Sequence, residues 1–405
     1  MRSKILYVYQ FFKTPDEGGI IRSYYLSRAL VEGGYAVEVI TSHNQPDYLR
    51  KEIDGMTVHY LPLRYEQSFG TLRRLYVYSV FVAKAIRCAL QIRGVRVCYV
   101  ASVPLTVGFI GLAMKWFRNV PYYFEVGDLW PLTPIQMGYF SNPLVQRVLY
   151  GLERYFYRHA RKIVALSPAI QENIQRRIPD PGKVVCIPNI ADCAFFYPET
   201  KDPGLVREWG LEGKTVVTYF GSIGKVVQLE SLIRIAQAGQ TDSGVQFLVA
   251  GTGSELERLK EQAGNLPNIR FLGHLSKDQL KRLLNVTDVV YLSYLPVPAL
   301  ETNSPNKLFE SLAAGKLCVI NIRGWHCDLI EAEGCGFYAD PAMPAVFFER
   351  LKPYRENPEK LRAVSSRARQ LAETRFSRQR LSAEFTALFE LREKENHADA
   401  SLAHL

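Results

Sequence analysis

Residues 304–316 have the sequence Ser-Pro-Asn-Lys-Leu-Phe-Glu-Ser-Leu-Ala-Ala-Gly-Lys, and they follow an apolar run, Val289–Leu295, that predicts a buried strand. We expect a helix to open at Pro305, because proline fits the first helical turn, where a missing N–H costs nothing. The unpaired N–H groups of that turn and Lys307 would form an anion site. Glu310 follows about one turn later and can accept hydrogen bonds from sugar hydroxyls. A phosphate beside a ribose is therefore the natural ligand, and an ordinary capped helix is the alternative.

The composition is that of a globular protein. The chain has 405 residues, of which 47% are hydrophobic and 22% charged, which favours two or three domains. A formal net charge of +10 favours anionic partners such as nucleotide diphosphates, an acidic membrane face or nucleic acid. We expect no nucleic-acid partner, because no recognition motif is present. The seven cysteines lack the spacing of a metal site, so we expect reduced thiols in a cytoplasmic protein and no metal.

One uncharged segment raises the question of a membrane span. Val97–Met114 reaches about the minimum length for a spanning helix, but Pro104 and Gly108 predict a strand, a turn and a helix start instead. The chain opens with Met1-Arg-Ser-Lys and runs directly into a predicted strand, without the apolar region of a signal peptide. We expect neither a transmembrane helix nor a leader.

Short apolar runs alternate with segments of helical period along the whole chain, which predicts an α/β fold built from βαβ units. The predicted strands of the first half are Ile5–Tyr9, Val37–Thr41, Thr57–Leu61, Val95–Val100, Tyr122–Val126, Lys162–Leu166 and Val184–Ile187. Those of the second half are Val216–Phe220, Gln246–Ala250, Ile269–Leu272, Val289–Tyr294, Leu317–Ile322 and Gly336–Ala339.

The domain boundary is predicted in Tyr197–Gly204, which has linker composition. We expect a Rossmann-like N-terminal domain over residues 1–196 and a second over 205–375. A helix over 376–395 would cross back to the first domain. Two doubly wound domains would face each other across a cleft, with ligands at the carboxyl ends of the strands.

Two motifs in the first half follow predicted strands. Gly18 and Gly19 precede a helical pattern, where a glycine pair lets backbone approach a phosphate and Arg22 could reach the same anion. Asp128 follows the strand ending at Val126 and could orient a hydroxyl or accept a proton. A plain strand-to-helix turn and an N-cap aspartate are the respective alternatives.

Two glycine-containing loops follow strands of the second half. In the first, Gly221 lets backbone come close to a ligand and Lys225 supplies a compact charge for a diphosphate. In the second, Gly251 and Gly253 form a Gly-x-Gly without the third glycine of a dinucleotide fingerprint. We expect that turn to touch a nucleotide base or ribose. An ordinary turn with a solvated lysine remains the alternative for the first loop.

An aromatic and basic segment, residues 65–92, could form a helix with an apolar side and basic flanks. Such a surface suits the edge of an anionic bilayer. A helix that packs inside the domain, with its cations snorkelling to solvent, is the favoured alternative.

Together these segments resemble family 4 of the retaining GT-B glycosyltransferases. The resemblance covers almost the whole chain, because the motifs occur in the family's order: Gly18-Gly19, residues 124–131, 164–167, 188–190, 219–225, 248–253 and 304–316. The nearest subgroup makes bacterial surface polysaccharides, including the N-acetylfucosamine transferases of O-antigen and capsule assembly.

The resemblance implies roles for individual residues. Gly18 and Gly19 match the loop near the donor diphosphate and acceptor, Lys225 matches a cation on the diphosphate, and Lys307 lies in the phosphate-binding helix start. Glu310 matches the second glutamate of the family's paired-glutamate motif, which holds the ribose hydroxyls. The predicted donor-binding set also includes Arg22, Gly221, Gly251, Gly253, Thr302, Asn303, Ser304, Asn306 and Leu308, and the predicted catalytic residues are Asp128, Lys225 and Glu310.

Two positions depart from the family pattern. The first glutamate of the pair would stand at residue 302, which is Thr302, with Glu301 one place away. A backbone or hydroxyl contact from residues 302–304, or a shift of Glu301, would replace it. Where many members carry a histidine before the aspartate, this chain has Gly127, so Asp128 or a neighbour would take the orienting role.

The resemblance therefore implies transfer with retention from a nucleotide-diphosphate sugar, UDP-linked rather than GDP-linked, without a metal. The sugar would be an N-acetylated hexosamine or deoxyhexosamine, and the acceptor a polyprenyl-diphosphate-linked glycan at the inner face of the plasma membrane. Two alternatives stay open: a nucleotide-sugar 2-epimerase, which needs no lipid acceptor, and a non-catalytic carbohydrate-binding protein.

Overall fold

The computed structural model describes residues 3–17, 22–66 and 69–402, and for residues 391–402 it describes the backbone alone. It divides the chain into two compact units, residues 1–188 with 378–405 and residues 189–377. Each unit is an α/β domain around its own sheet, parallel in the second unit and parallel except for one edge strand in the first, which confirms the predicted fold class.

The first unit holds an eight-stranded sheet with the order β3-β4-β2-β1-β5-β6-β7-β8. Its strands are β1 (Lys4–Val8), β2 (Ala36–His43), β3 (Leu49–Ile53), β4 (Met56–Pro62), β5 (Val95–Ala101), β6 (Tyr122–Val126), β7 (Lys162–Ala165) and β8 (Val184–Cys186). Its first helices are α1 (Arg22–Glu32), α2 (Thr71–Gln91), α3 (Gly108–Arg118), α4 (Leu132–Gln136), α5 (Pro143–His159) and α6 (Pro168–Gln175). All pairings are parallel except the antiparallel β3–β4 pair.

The second unit holds a parallel sheet with the order β11-β10-β9-β12-β13-β14. Its strands are β9 (Thr215–Phe220), β10 (Val245–Ala250), β11 (Ile269–Gly273), β12 (Val289–Leu292), β13 (Leu317–Ile320) and β14 (Gly336–Tyr338). Its helices are α7 (Pro203–Glu208), α8 (Glu230–Ala238), α9 (Leu256–Ala263), α10 (Lys277–Val286), α11 (Asn306–Ala313), α12 (Trp325–Ala332), α13 (Pro344–Arg355) and α14 (Pro358–Arg375).

The last helix, α15 (Arg378–Leu402), belongs to the first unit. Its Phe385 and Phe389 are buried, and their rings lie 5.0 Å from Tyr99 and 5.1 Å from Tyr123, respectively. The Tyr123 hydroxyl also donates a hydrogen bond to the Leu388 carbonyl at 3.1 Å. An aromatic cluster therefore joins the end of the chain to the first sheet.

The units meet in sequence earlier than the predicted end of the first domain at residue 196. Residues 189–196 belong to the second unit, because Phe196 is buried in its core and Asp192 forms an ion pair with Lys277 at 2.9 Å. Linker composition identified a nearby exposed stretch but not the side chains that anchor the residues before it.

Every predicted strand is present, with ends that differ by at most two residues. Strand β3 was missed, because its sequence, Leu-Arg-Lys-Glu-Ile, has the charge of a loop. The aromatic segment 65–92 contains α2, which buries Tyr78 and Phe81 in the core of the first unit. That burial favours the domain-packing alternative for this helix.

Candidate functional site

Two loops at the carboxyl ends of β9 and β10 pack backbone against backbone. The Gly221 amide donates to the Ala250 carbonyl and the Ile223 amide to the Thr252 carbonyl, both at 2.9 Å. A Cβ added to Gly251 would lie 1.8 Å from the Gly221 oxygen. The φ angles of Gly221 and Gly251 are 121° and 145°, which side chains rarely adopt. Gly251 is therefore required by the contact between the loops, and Gly221 by its backbone angle.

Gly253 is required in the same way. A Cβ there would lie 2.1 Å from the Ile223 carbonyl oxygen, and the Glu255 amide donates to that oxygen at 3.1 Å. The sequence predicted that these glycines let backbone approach a ligand. In the structure, Gly251 and Gly253 contact the backbone of the neighbouring loop. The two loops form one rigid edge above the strands.

Lys307, on the first turn of α11, leans against this edge. Its Nζ donates to the Tyr219 hydroxyl at 2.9 Å and lies 4.2 Å from the centre of that ring. It comes so close to Gly221 that a Cβ there would be 3.1 Å from Nζ. Burial lowers the pKa of Lys307 to about 7, and Glu310 opposes the shift. Among the described residues no carboxylate forms an ion pair with this lysine, so an added anion would not have to displace one.

Glu310 lies one turn further along α11. Burial raises its pKa to about 7, against the opposing charges of Lys277 and Lys307. No described side chain hydrogen-bonds to its carboxylate, since Lys277 pairs with Asp192 instead. Glu310 therefore keeps its acceptor capacity for a ligand hydroxyl.

The segment before α11 is held by structural contacts. The Thr302 hydroxyl donates to the Ala299 carbonyl at 2.7 Å, and the Asn303 carbonyl accepts from the Trp325 indole at 2.6 Å. The Ser304 carbonyl accepts a hydrogen bond from the Asn189 amide group. The position of the expected glutamate is therefore held by Thr302, whose hydroxyl already donates a hydrogen bond to the backbone.

The side chains at the start of α11 divide into two groups. Leu308 is fully buried in the core, so only its backbone could face a ligand. Asn306 is partly buried beside Lys307. The backbone amides in the first turn of a helix have no intrahelical acceptor. In α11 these amides lie beside the side chains of Asn306 and Lys307. The Asn303 Oδ1 atom is buried without a hydrogen-bond partner among the described residues.

Lys225 lies in the same loop as Gly221, and its side chain is exposed. It makes no hydrogen bond or ion pair with the described residues, and the loop is tied down by the Leu295 amide, which donates to the Val226 carbonyl at 3.0 Å. The structure thus brings Lys307, Glu310 and the three glycines together in one place and puts Lys225 on the rim.

In the first unit, Arg22 is buried and already engaged. Its Nη2 lies 3.0 Å from Glu125 Oε2 and donates to the Ile187 carbonyl, while its Nη1 donates to the Pro188 carbonyl. The Tyr99 hydroxyl donates to the same carboxylate oxygen at 2.6 Å. An anion contact by Arg22 therefore stays a prediction, and Gly18 and Gly19 lie outside the described residues.

Asp128 lies two residues after β6 and is partly buried. Burial raises the pKa of its carboxyl group above the usual value of an aspartate. Its catalytic role stays a prediction.

Sequence reasoning missed several residues of the site. Tyr219 stands inside an apolar strand, where it looks like a core residue, and only its contact with Lys307 shows its second use. Asp192 and Lys277 are 85 residues apart, and no local pattern links them. The position of Tyr219 directly before the loop of Gly221 was the available signal.

The family follows from both halves of the chain. Residues 17–190 match the Glycosyl transferase 4-like domain, and residues 205–371 match Glycosyl transferases group 1. The chain belongs to the GT-B glycosyltransferases.

Curated glycosyltransferases share limited identity with it. A probable glycosyltransferase, WbjE of Pseudomonas aeruginosa, is 24% identical over 57% of this chain and 59% of its own length, so the match spans about three fifths of that relative. An uncharacterized glycosyltransferase of Methanocaldococcus jannaschii is 22% identical over 79% of this chain and 80% of its own. The 2-deoxystreptamine N-acetyl-D-glucosaminyltransferase of Streptomyces fradiae is 27% identical over 37% of each chain.

Solved GT-B structures share the fold. Sucrose-phosphate synthase of Thermosynechococcus elongatus has a TM-score of 0.77 at 16% identity, covering 97% of this chain and 100% of the other. Anabaena HepE, solved with UDP-glucose, has a TM-score of 0.71 at 19% identity, covering 96% and 99%. WaaG, a glycosyltransferase involved in lipopolysaccharide biosynthesis, has a TM-score of 0.66 at 14% identity, covering 95% and 99%.

No described helix has both the length and the apolar character needed to cross a bilayer. No described cluster of three or more His, Cys, Asp or Glu side chains has the arrangement of a metal site.

Proposed function

We propose that this glycosyltransferase moves a sugar from a UDP-linked donor to a polyprenyl-diphosphate-linked glycan, with retention and without a metal, in bacterial surface-polysaccharide synthesis. The observation that carries the proposal is the position of Lys307. Its partly buried ammonium lies at the edge formed by the loops of Gly221 and Gly251, and no carboxylate forms an ion pair with it among the described residues. A diphosphate is the anion that such a site at a helix start suits.

Glu310 supports the nucleotide part of the proposal. Its carboxylate follows Lys307 by one turn and has no hydrogen-bond donor among the described side chains. A ribose placed beside the diphosphate would present two hydroxyl donors to it. The complexes of HepE with UDP and UDP-glucose favour uridine as the base.

The chemistry needs charge stabilisation on the leaving group. The bond from the anomeric carbon to the diphosphate oxygen breaks, and the acceptor oxygen forms a new bond on the same face. The acceptor proton passes to the departing phosphate oxygen. Lys307, the amides of α11 and the exposed Lys225 would stabilise the developing negative charge, which is the role a metal plays in other transferases.

The identity of the sugar and acceptor draws on the relatives. An N-acetylated hexosamine or deoxyhexosamine agrees with the named activity of the Streptomyces relative. A lipid-linked acceptor and peripheral contact with the inner face of the plasma membrane agree with the lipopolysaccharide role of WaaG. The positive net charge of the chain favours such a surface.

The test is incubation with a panel of nucleotide sugars, with and without a polyprenyl-diphosphate-linked acceptor and with EDTA present. We expect UDP release that depends on the acceptor and persists in EDTA, and a product that keeps the anomeric configuration. Release of an isomerised nucleotide sugar without acceptor would identify the epimerase instead. Sugar binding without any turnover would identify the non-catalytic protein.

A further inference from the structure

The solvent face of α5 carries two parallel stripes of unlike chemistry. The apolar stripe is Leu144, Val148 and Tyr155, which are 68%, 62% and 41% exposed. The basic stripe is Arg147, Arg154 and Arg158, all exposed. Spacings of four, seven and eleven residues keep each stripe on one side of a helix.

The apolar stripe continues onto α3. The Trp116 ring lies 6.2 Å from the Tyr155 ring, and Trp116 and Phe117 are 55% and 72% exposed. We call the two stripes together with Trp116 and Phe117 the α3–α5 face. Aromatic rings with one apolar and one wet side are typical of membrane interfaces.

The charge of this face is not balanced locally. Arg147 and Arg154 make no hydrogen bond or ion pair with the described residues. The one acidic residue of α5, Glu153, points inward, is 1% exposed, and lies 3.4 Å from Arg177. Arg147, Arg154 and Arg177 line a cavity of about 520 Å³ on the flank of the helix, together with the largely buried Glu153. The cavity is large enough to receive a phosphate group, and arginine binds phosphate through paired donors.

We propose that the α3–α5 face docks on an anionic lipid bilayer, with the apolar stripe at the boundary of headgroups and acyl chains and the arginines on lipid phosphates. An interfacial helix with large apolar side chains beside cationic ones has this pattern. A second copy of the chain fits less well, because a symmetric contact would place the basic stripes of both copies against one another. This inference deepens the membrane contact named in the proposed function by giving it a surface, and it does not depend on the donor site.

The alternative surface is on α2, where Leu72 and Tyr76 are 83% and 68% exposed. Its other aromatic residues, Tyr78 and Phe81, are buried, so α2 offers a narrower apolar strip. It supplies a matched control of equal chemistry.

The test is flotation of the full chain with vesicles of phosphatidylcholine alone or mixed equally with phosphatidylglycerol. We expect binding to the mixed vesicles only, weakening as salt is added. The partition coefficient should fall about fivefold in each of three single variants, Arg147→Gln, Arg154→Gln and Arg158→Gln. It should fall by more than fivefold in the double variant Leu144→Ser with Val148→Ser. The α2 control, Leu72→Ser with Tyr76→Ser, should bind like the parent protein.

Equal binding to both vesicle types would overturn the inference, as would loss of binding only in the α2 control. A dimer in sedimentation velocity that the Leu144→Ser and Val148→Ser changes dissociate would show that a second copy occupies the face. UDP binding, measured by calorimetry on every variant, should be unchanged. A protein that binds vesicles as expected but not UDP would contradict the proposed function while leaving this surface intact.

Discussion

Helices α1 and α11 each carry a basic residue in the first turn, Arg22 and Lys307, but the surroundings of the two charges differ. Arg22 is surrounded by Glu125, Tyr99 and backbone carbonyls. Among the described residues Lys307 forms no ion pair, and its ammonium contacts the Tyr219 hydroxyl and ring, with the Tyr294 ring 5.7 Å away. The charge of Arg22 is neutralised inside the fold and stabilises it, while that of Lys307 forms no ion pair among the described residues and stays available to an anion. The comparison teaches that a basic residue at a helix start is a ligand site only when its charge has no partner.

The largest expected effect is on folding stability in the first unit. Arg22→Ala leaves Glu125 buried without its counter-charge, and breaking such a pair costs about 3–5 kcal/mol. Urea unfolding followed by circular dichroism should show this loss. Glu125→Ala should cost a similar amount. A change below about 1 kcal/mol in both variants would mean that the Arg22 charge is as uncompensated as that of Lys307.

Lys307→Met should have the reverse pattern. Removing a charge-assisted contact worth about 1.5–3 kcal/mol should weaken UDP binding about tenfold to a hundredfold by calorimetry. Stability should stay the same or rise, because a poorly solvated charge is replaced by an apolar side chain. A destabilised variant with normal UDP affinity would make Lys307 a structural residue like Arg22.

Gly251→Ala tests the edge against which Lys307 leans. The added Cβ would lie 1.8 Å from the Gly221 oxygen at a φ of 145°, and such strain costs about 1–3 kcal/mol. Thermal unfolding and UDP binding should both be impaired. Gly224→Ala is the matched control, since a Cβ there meets nothing within 4 Å, and it should change stability by less than about 1 kcal/mol. Equal behaviour of the two variants would mean that the loops are not packed as described.

The smallest effect concerns pH. The pKa of Lys307 is lowered to about 7 and that of Glu310 is raised to about 7, each chiefly by burial. Above pH 7 Lys307 loses the proton that holds a diphosphate, and below pH 7 Glu310 gains one and no longer accepts two hydroxyls. UDP affinity should therefore be greatest near pH 7 and fall severalfold over a pH unit on either side.

Stability of the UDP-free protein should have the inverse profile. Glu310, whose folded pKa is raised, stabilises the fold below about pH 4.5 and loses that contribution as pH rises to 7. Lys307, whose folded pKa is depressed, destabilises the fold below pH 7 and is relieved as pH rises. In the UDP-binding profile, Glu310→Gln should abolish the fall in affinity below pH 7, and Lys307→Met should abolish the fall above pH 7. A profile that is identical in both variants would refute the assignment.

Much of the fold could be predicted from sequence, because parallel strands buried on both faces leave continuous apolar runs. Strand β3 escaped because an edge strand needs no apolar run, and its residues are largely exposed. The positions of Lys307 and Glu310 could be predicted from one local motif. The pairing of Arg22 with Glu125, 103 residues away, could not, because no local pattern records which distant side chain a strand brings to a helix start.

The assignment of α15 to the first unit has a consequence for synthesis. Phe385 and Phe389 complete the aromatic cluster around Tyr99 and Tyr123, but residues 189–377 must be translated before them. At about 5–20 residues per second, the nascent first unit waits roughly 10–40 s on the ribosome with that cluster unfinished. Residues 189–377 of the second unit are all synthesised by then. The second core can therefore be completed before the first, although synthesis of the first begins earlier.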